Sequence, residues 1–286
     1  MRIIHFLTID GDDKAIIARL VGLGFELSDA GPRGRPVFFQ VAEDDTRWNE
    51  VSRLLAELEA GQGYIGWRIE TAFTSEEKAA AGYLAFDYCW TSGYPEPSDI
   101  TAVPGLRCLP FELVNYDMGE RCMACGIGTR QKAPFRMKKE PAWGRRSILK
   151  LNWVPDEVFV RRDRWESVFR PFGVECGPVL HHRSGTALET VVQLKLEKTA
   201  SLNLQGVAPR VCPACGRQKY APDPRGPFPA VLSASAAITK TREYFGHSGT
   251  AFNEILVAAA LFQRMQSAEL RGAGFRPCAS QGTTVR

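Results

Sequence analysis

With 286 residues, 44% hydrophobic and 24% charged, the chain can bury one large core or two modest ones, which excludes an intrinsically disordered protein. The net charge of +4 conceals opposite halves: residues 1–100 hold 9 Lys/Arg and 17 Asp/Glu (net −8), and residues 101–286 hold 27 and 15 (net +12), so two domains with different partners are expected. The opening MRIIHFLTID lacks the apolar core of a secretory signal, and the longest uncharged apolar run, Ile255 to Phe262, is too short to cross a bilayer, so a cytoplasmic protein without membrane segments is expected.

In chain order, Arg2 to Ile9 is rich in β-formers, and Asp12 or Asp13 can cap a helix carrying Ile16, Ile17, Leu20 and Leu23 on one face, stopped by Gly24. Val37 to Val41 reads as a second strand. Asp45 opens a second helix whose apolar face is Trp48, Val51, Leu54, Leu55 and Leu58, closed by Gly61. Tyr64 to Phe73 reads as a third strand, and Thr74-Ser-Glu-Glu77 fits a capping box before an Ala-rich turn. Residues 1–88 are therefore predicted to form a small acidic α/β domain. Residues 89–110, rich in Pro, Gly and Ser, read as a linker or irregular loop, 111–278 as a second domain and 279–286 as a flexible tail; the class is α+β.

The second domain contains an internal repeat. Glu157-Val-Phe-Val160, then Trp165 and Val168, then Gly173 to Pro178, parallels Glu254-Ile-Leu-Val257, then Phe262 and Met265, then Gly272 to Pro277. Each copy reads strand, amphipathic helix, strand, with the second helix slightly longer. A five-residue device precedes each copy: Cys122-Met-Ala-Cys125-Gly126 and Cys212-Pro-Ala-Cys215-Gly216. Two cysteines two residues apart, followed by a permissive glycine, aim two sulfurs to one side of a tight turn. One turn supplies only two ligands, so Cys122, Cys125, Cys212 and Cys215 are expected to meet at one Zn²⁺, as a zinc ribbon with a long insertion. A fully thiolate site has no open position for water, which makes the single zinc structural. A redox role is disfavoured because neither pair opens a helix after a thioredoxin-like strand. Cys89, Cys108, Cys176 and Cys278 have no partner at ligand spacing and read as buried small apolar residues.

Enzyme signatures are absent: there is no GxGxxG, GxxxxGK[ST] or HExxH. Gly246-His-Ser-Gly-Thr250 has Thr where a nucleophile elbow needs Gly and reads as a turn. His181 and His182 are adjacent, so in a strand they point to opposite faces. Arg130 to Arg146 (RQKAPFRMKKEPAWGRR) interleaves seven Lys/Arg with Phe135 and Trp143, the pattern of a nucleic-acid or acidic-protein surface.

The two cysteine motifs, together with the segment FNEILVAAALFQRMQSAELRGAGFRP, resemble the double-CXXCG family, expanded as paralogues in myxobacteria and regarded as immunity proteins against toxins delivered by kin or competitors. The resemblance covers about residues 105–278, carries the four cysteines over as the paired knuckles, and leaves residues 1–88 without a counterpart. It implies a non-enzymatic protein that binds and blocks a cognate toxin. If that toxin is a nuclease, the acidic 1–100 region suits its basic groove, with Asp12, Asp13, Glu43, Asp44 and Asp45 as candidate contacts. The alternative is a zinc-ribbon nucleic-acid-binding protein using Arg136, Lys138, Lys139, Trp143, Arg145 and Arg146.

Overall fold

The structure, a computed structural model, describes residues 1–28, 36–60, 65–99 and 108–281. The chain divides into two compact units, one of residues 1–77 with 223–226, the other of 78–222 with 227–286. The architecture is mixed α+β, mostly sheet with few helices. Among the described residues no helix is long and apolar enough to cross a membrane.

In the first unit, β1 (Arg2–Ile9), α1 (Lys14–Gly22), β2 (Val37–Ala42), α2 (Trp48–Ala60) and β3 (Ile65–Ala72) form a three-stranded sheet in the order β2-β1-β3, with β1 antiparallel to both neighbours. Alternation in β1 buries His5, Leu7 and Ile9. The helical period of α2 brings Val51, Leu54, Leu55 and Leu58 onto the same core as Leu7, Ile9, Leu20 and Phe39. Gly24 ends the α1 turn at φ 78°. Asp13 stands at the α1 N-cap, but its side chain makes no capping bond. Before α3 (Ser75–Ala80) the capping box is formed: Glu77 accepts the Thr74 N–H at 2.8 Å and Thr74 Oγ1 accepts the Glu77 N–H at 3.2 Å. Gly61 and Tyr64 lie outside the described residues.

The division falls within α3, earlier than the expected boundary at 88. The reason is β4 (Tyr83–Cys89), which reads locally as the end of the acidic domain yet pairs with strands more than 160 residues later. The expected linker also differs. Trp90 donates its N–H to Gly272 O, Ser92 to Lys150 O and Glu96 to Arg136 O, so 90–96 is bonded into the second unit. Residues 100–107 lie outside the described residues, as do 282–286 of the expected tail; Ala279 still donates to Phe228 O.

After α4 (Pro110–Asn115) come two-residue strands β5 (Tyr116–Asp117), β6 (Arg130–Gln131), β7 (Arg136–Met137) and β8 (Ile148–Leu149). Next are β9 (Phe159–Arg161), a helical segment over 162–172 (α5) with a π turn at Trp165–Phe169, β10 (Cys176–His181), β11 (Ala187–Leu194) and β12 (Thr199–Leu202). The chain continues through β13 (Arg210–Val211), β14 (Gln218–Lys219), β15 (Val231–Ser233), β16 (Ile238–Phe245), β17 (Phe252–Ala258), α6 (Ala259–Ser267) and β18 (Ala273–Pro277). One sheet has the order β7-β10-β11-β9-β8, the other β15-β12-β16-β17-β4-β18.

Each repeat is a split β-α-β. β11 lies between β9 and β10 and is antiparallel to both; β4 lies likewise between β17 and β18. Both copies close on one core, in which Val158, Val160, Val168 and Phe169 of the first meet Ile255, Val257, Leu261, Phe262 and Met265 of the second. The helices also exchange arginines: Arg164 Nη1 donates to Ala268 O at 3.4 Å and Arg264 Nη2 to Ser167 O at 2.9 Å. The second helix is not the longer one, because the π turn extends the first.

Candidate metal centre

Each cysteine pair sits on a short hairpin, β5–β6 for Cys122 and Cys125 and β13–β14 for Cys212 and Cys215. The two turns are built by the same hydrogen bonds. Gly126 N–H donates to Cys122 O and Cys122 N–H to Ile127 O, both at 2.8 Å; Gly216 N–H donates to Cys212 O and Cys212 N–H to Arg217 O, both at 2.9 Å. Both glycines are left-handed, at φ 83° and 72°, which a side chain disfavours. Gly126 is needed twice over, because a Cβ there would lie 2.4 Å from Gly249 O.

The hairpins bring the four sulfurs within 4.8 Å of one another. Cys122 Sγ is 3.8 Å from Cys212 Sγ, and Cys125 Sγ is 3.7 Å from Cys215 Sγ. Those distances are far longer than a disulfide and match the ~3.8 Å edge of a tetrahedron with ~2.3 Å metal–sulfur bonds. Four thiol donors at that separation fit a tetrahedral ion that favours sulfur. Cys125 and Cys212 are buried and Cys215 is exposed.

The surroundings favour thiolates at one end. Backbone N–H groups of Cys125 and Ala124 lower the Cys122 thiol, and the backbone N–H and guanidinium of Arg217 hold Cys215 down to about 6. Burial pushes the Cys125 thiol up to about 12. Four thiolates around a dication leave a surplus of negative charge, and two cations offset it. Arg217 bonds Cys215 and also donates to Glu120 O of the other hairpin at 2.8 Å. Lys219, only 5% exposed, donates its ammonium to the carbonyls of Cys125 (3.1 Å), Thr250 (3.0 Å) and Ser248. Such outer partners orient and tune metal ligands. The Gly246 to Thr250 motif is thereby placed as the turn from β16 to β17, packed on the first knuckle.

The remaining sequence candidates are not gathered into one site. Glu43 binds Arg225 at 2.5 Å and His5 at 2.9 Å, Asp44 binds Arg2 at 2.8 Å, and Asp45 binds Arg47 at 2.7 Å, the last holding its carboxyl well below the usual range. Asp12 and Asp13 have no ion-pair partner among the described residues. His181 and His182 separate, the first against Ser184 at 3.0 Å, the second 3.9 Å from Glu96. Burial pushes the thiols of Cys89 and Cys278 up to about 12.

The basic stretch differs from its expectation. Phe135 is fully buried, and Trp143, 9% exposed, donates Nε1–H to Thr190 Oγ1 within the same cluster. Neither ring is a stacking platform. Arg136 stands in β7, Lys138 pairs with Glu96 at 3.3 Å, Lys139 and Arg145 are exposed, and Arg146 covers Trp90 at 4.6 Å.

One feature escaped the sequence reading, a cleft of about 970 Å³ bordered by Gly126 and Thr250. In its wall Glu157 accepts from Lys240 Nζ at 2.6 Å and from Gln193 Nε2 at 2.9 Å. Burial pushes the Glu157 carboxyl up, while Asp156 and Glu157 outweigh the burial of Lys240 and raise it. The only sequence signal was the glutamate opening each repeat, Glu157 and Glu254, an unusual residue to start a buried strand.

Comparison with protein-family models, curated proteins and solved structures finds no match to this chain.

Proposed function

We propose that the chain is a zinc-ribbon immunity protein: a non-enzymatic binding protein of the cytoplasm that neutralises a cognate bacterial toxin, with one structural Zn²⁺ held by Cys122, Cys125, Cys212 and Cys215. The carrying observation is the meeting of four sulfurs within 4.8 Å from two turns of identical hydrogen bonding, ninety residues apart. Bound zinc supplies a cross-link between the two repeats, and its binding energy counts as folding energy. The toxin-blocking part rests on the resemblance of the paired knuckles and the closing strand-helix-strand to the double-CXXCG family.

The acidic net charge of residues 1–100 supports a basic partner such as a nuclease. Within that region Asp12 and Asp13 are the better contact candidates, because Glu43, Asp44 and Asp45 are each neutralised by an arginine. The nucleic-acid reading loses its aromatic component with the burial of Phe135 and Trp143.

Co-expression with the product of the adjacent gene tests the partner, and metal analysis tests the ion. Rescue from toxicity, a salt-sensitive complex and one zinc per chain are expected. Absence of rescue with zinc present refutes the immunity role alone, whereas a purified chain that binds no zinc refutes the metal assignment.

A further inference from the structure

Four arginines from separate segments of the second unit line one pocket of about 510 Å³. Arg145 comes from the loop before β8, Arg161 from the end of β9, Arg164 from the first turn of α5, and Arg271 from the turn after α6. Two carboxylates stand against them. Asp163 holds Arg161 through paired bonds of 2.8 and 3.1 Å and lies 3.8 Å from Arg164, and Glu269 lines the rim at φ 50°. The formal local charge is therefore +2. Among the described residues neither Arg145 nor Arg271 has an ion-pair partner. Arg164 Nε is buried and makes no hydrogen bond.

The backbone holds these groups in place. Ser147, 3% exposed, donates its N–H to Arg271 O at 2.8 Å and accepts the Arg161 N–H at 3.0 Å, so one residue joins two of the arginine-bearing segments. Arg164 is anchored across the repeat boundary by its bond to Ala268 O at 3.4 Å.

We propose that this pocket binds a dianionic phosphate group, free or carried as a monoester, at the junction of the two repeats. Guanidinium forks match tetrahedral oxyanions through paired N–H bonds, and an unpaired fork next to a donor lacking an acceptor is what such an ion completes. A charge of −2 cancels the local +2. A phosphodiester contributes only −1 per group, so the pocket favours a terminal phosphate over a nucleic-acid backbone. The inference is independent of the toxin and of the zinc.

The test titrates the zinc-loaded full chain, in chloride buffer at constant ionic strength, with inorganic phosphate, with adenosine 5′-monophosphate and with a 5′-hydroxyl oligonucleotide, read by calorimetry and ³¹P NMR. Arg145→Gln and Arg271→Gln alter exposed side chains, and Lys139→Gln serves as a charge-matched control outside the pocket. Saturable phosphate binding is expected, weakened roughly tenfold or more by either arginine change and unchanged by the control. Tighter binding of the monophosphate than of inorganic phosphate identifies an ester as the ligand, and equal binding identifies the free ion. No saturable binding of either, or an equal loss with Lys139→Gln, overturns the proposal; so does binding of the oligonucleotide alone.

Discussion

Gly126 and Gly216 occupy the same place in the two knuckles, and replacing each by alanine separates two costs. Both are left-handed, at φ 83° and 72°. An alanine there carries a penalty of about 1–2 kcal/mol, reduced by the ~0.4–1 kcal/mol that a stiffer unfolded chain returns. Around Gly216 nothing lies within 4 Å of a built Cβ, so Gly216→Ala should cost about 1 kcal/mol. At Gly126 the same methyl would stand 2.4 Å from Gly249 O and 3.0 Å from Ala251 N. The 249–251 backbone must then retreat by roughly 1 Å to regain van der Waals distance. That segment includes the Thr250 carbonyl that binds Lys219, and loosening one charge-assisted bond costs about 1.5–3 kcal/mol. Gly126→Ala should therefore cost about 2.5–4 kcal/mol in urea unfolding of the zinc-loaded protein, and lower Tm by roughly 4–8 °C more than Gly216→Ala does. Equal losses in the two variants would refute the close packing of the first knuckle on the β16–β17 turn.

Replacing Cys125 or Cys212 by Ser should release the ion and unfold the second unit; a variant that keeps its Tm, or wild-type protein indifferent to a strong chelator, contradicts a structural metal. Lys219→Met takes the ammonium donor from three carbonyls, of which that of Cys125 is buried, and should cost about 1–3 kcal/mol by denaturation while speeding metal loss to a colorimetric chelator, whereas an unchanged rate would detach Lys219 from the centre. Burial holds the Glu254 carboxyl at about 7, above its ordinary value of 4.5, so between those pH values the folded state keeps a proton that the unfolded chain has lost, and stability falls as pH rises through that window. Glu254→Gln should accordingly stabilise the protein by about 3 kcal/mol at pH 8 and by under about 1 kcal/mol at pH 5; a gain independent of pH would rule out the carboxylate as its source.

What could be read from the sequence was local. Each CxxCG turn carries its own geometry, and α2 and the Thr74–Glu77 box depend on spacings within one or two turns of chain. The two strand-helix-strand copies were legible because each keeps its apolar residues at its own period. β4 was not, since nothing in YLAFDYC says that its partners are β17 and β18. The 90–96 segment misled in the opposite direction: its prolines and glycines suit a linker, yet its backbone is bonded to distant residues. In RQKAPFRMKKEPAWGRR the charges hid a period-two signal, with Phe135 and Met137 buried on either side of Arg136. The arginine pocket was beyond reach because its members converge only when the two repeats pack.

The placement of β4 between β17 and β18 sets an order of events during synthesis. The ribosome releases Tyr83–Cys89 well before Phe252–Ala258 and Ala273–Pro277 exist, so this apolar segment must wait, with both edges open, until those two strands have been made. Nascent chains stalled before β18 would then present an unfinished edge, and they are the species in which chaperone capture or aggregation should concentrate.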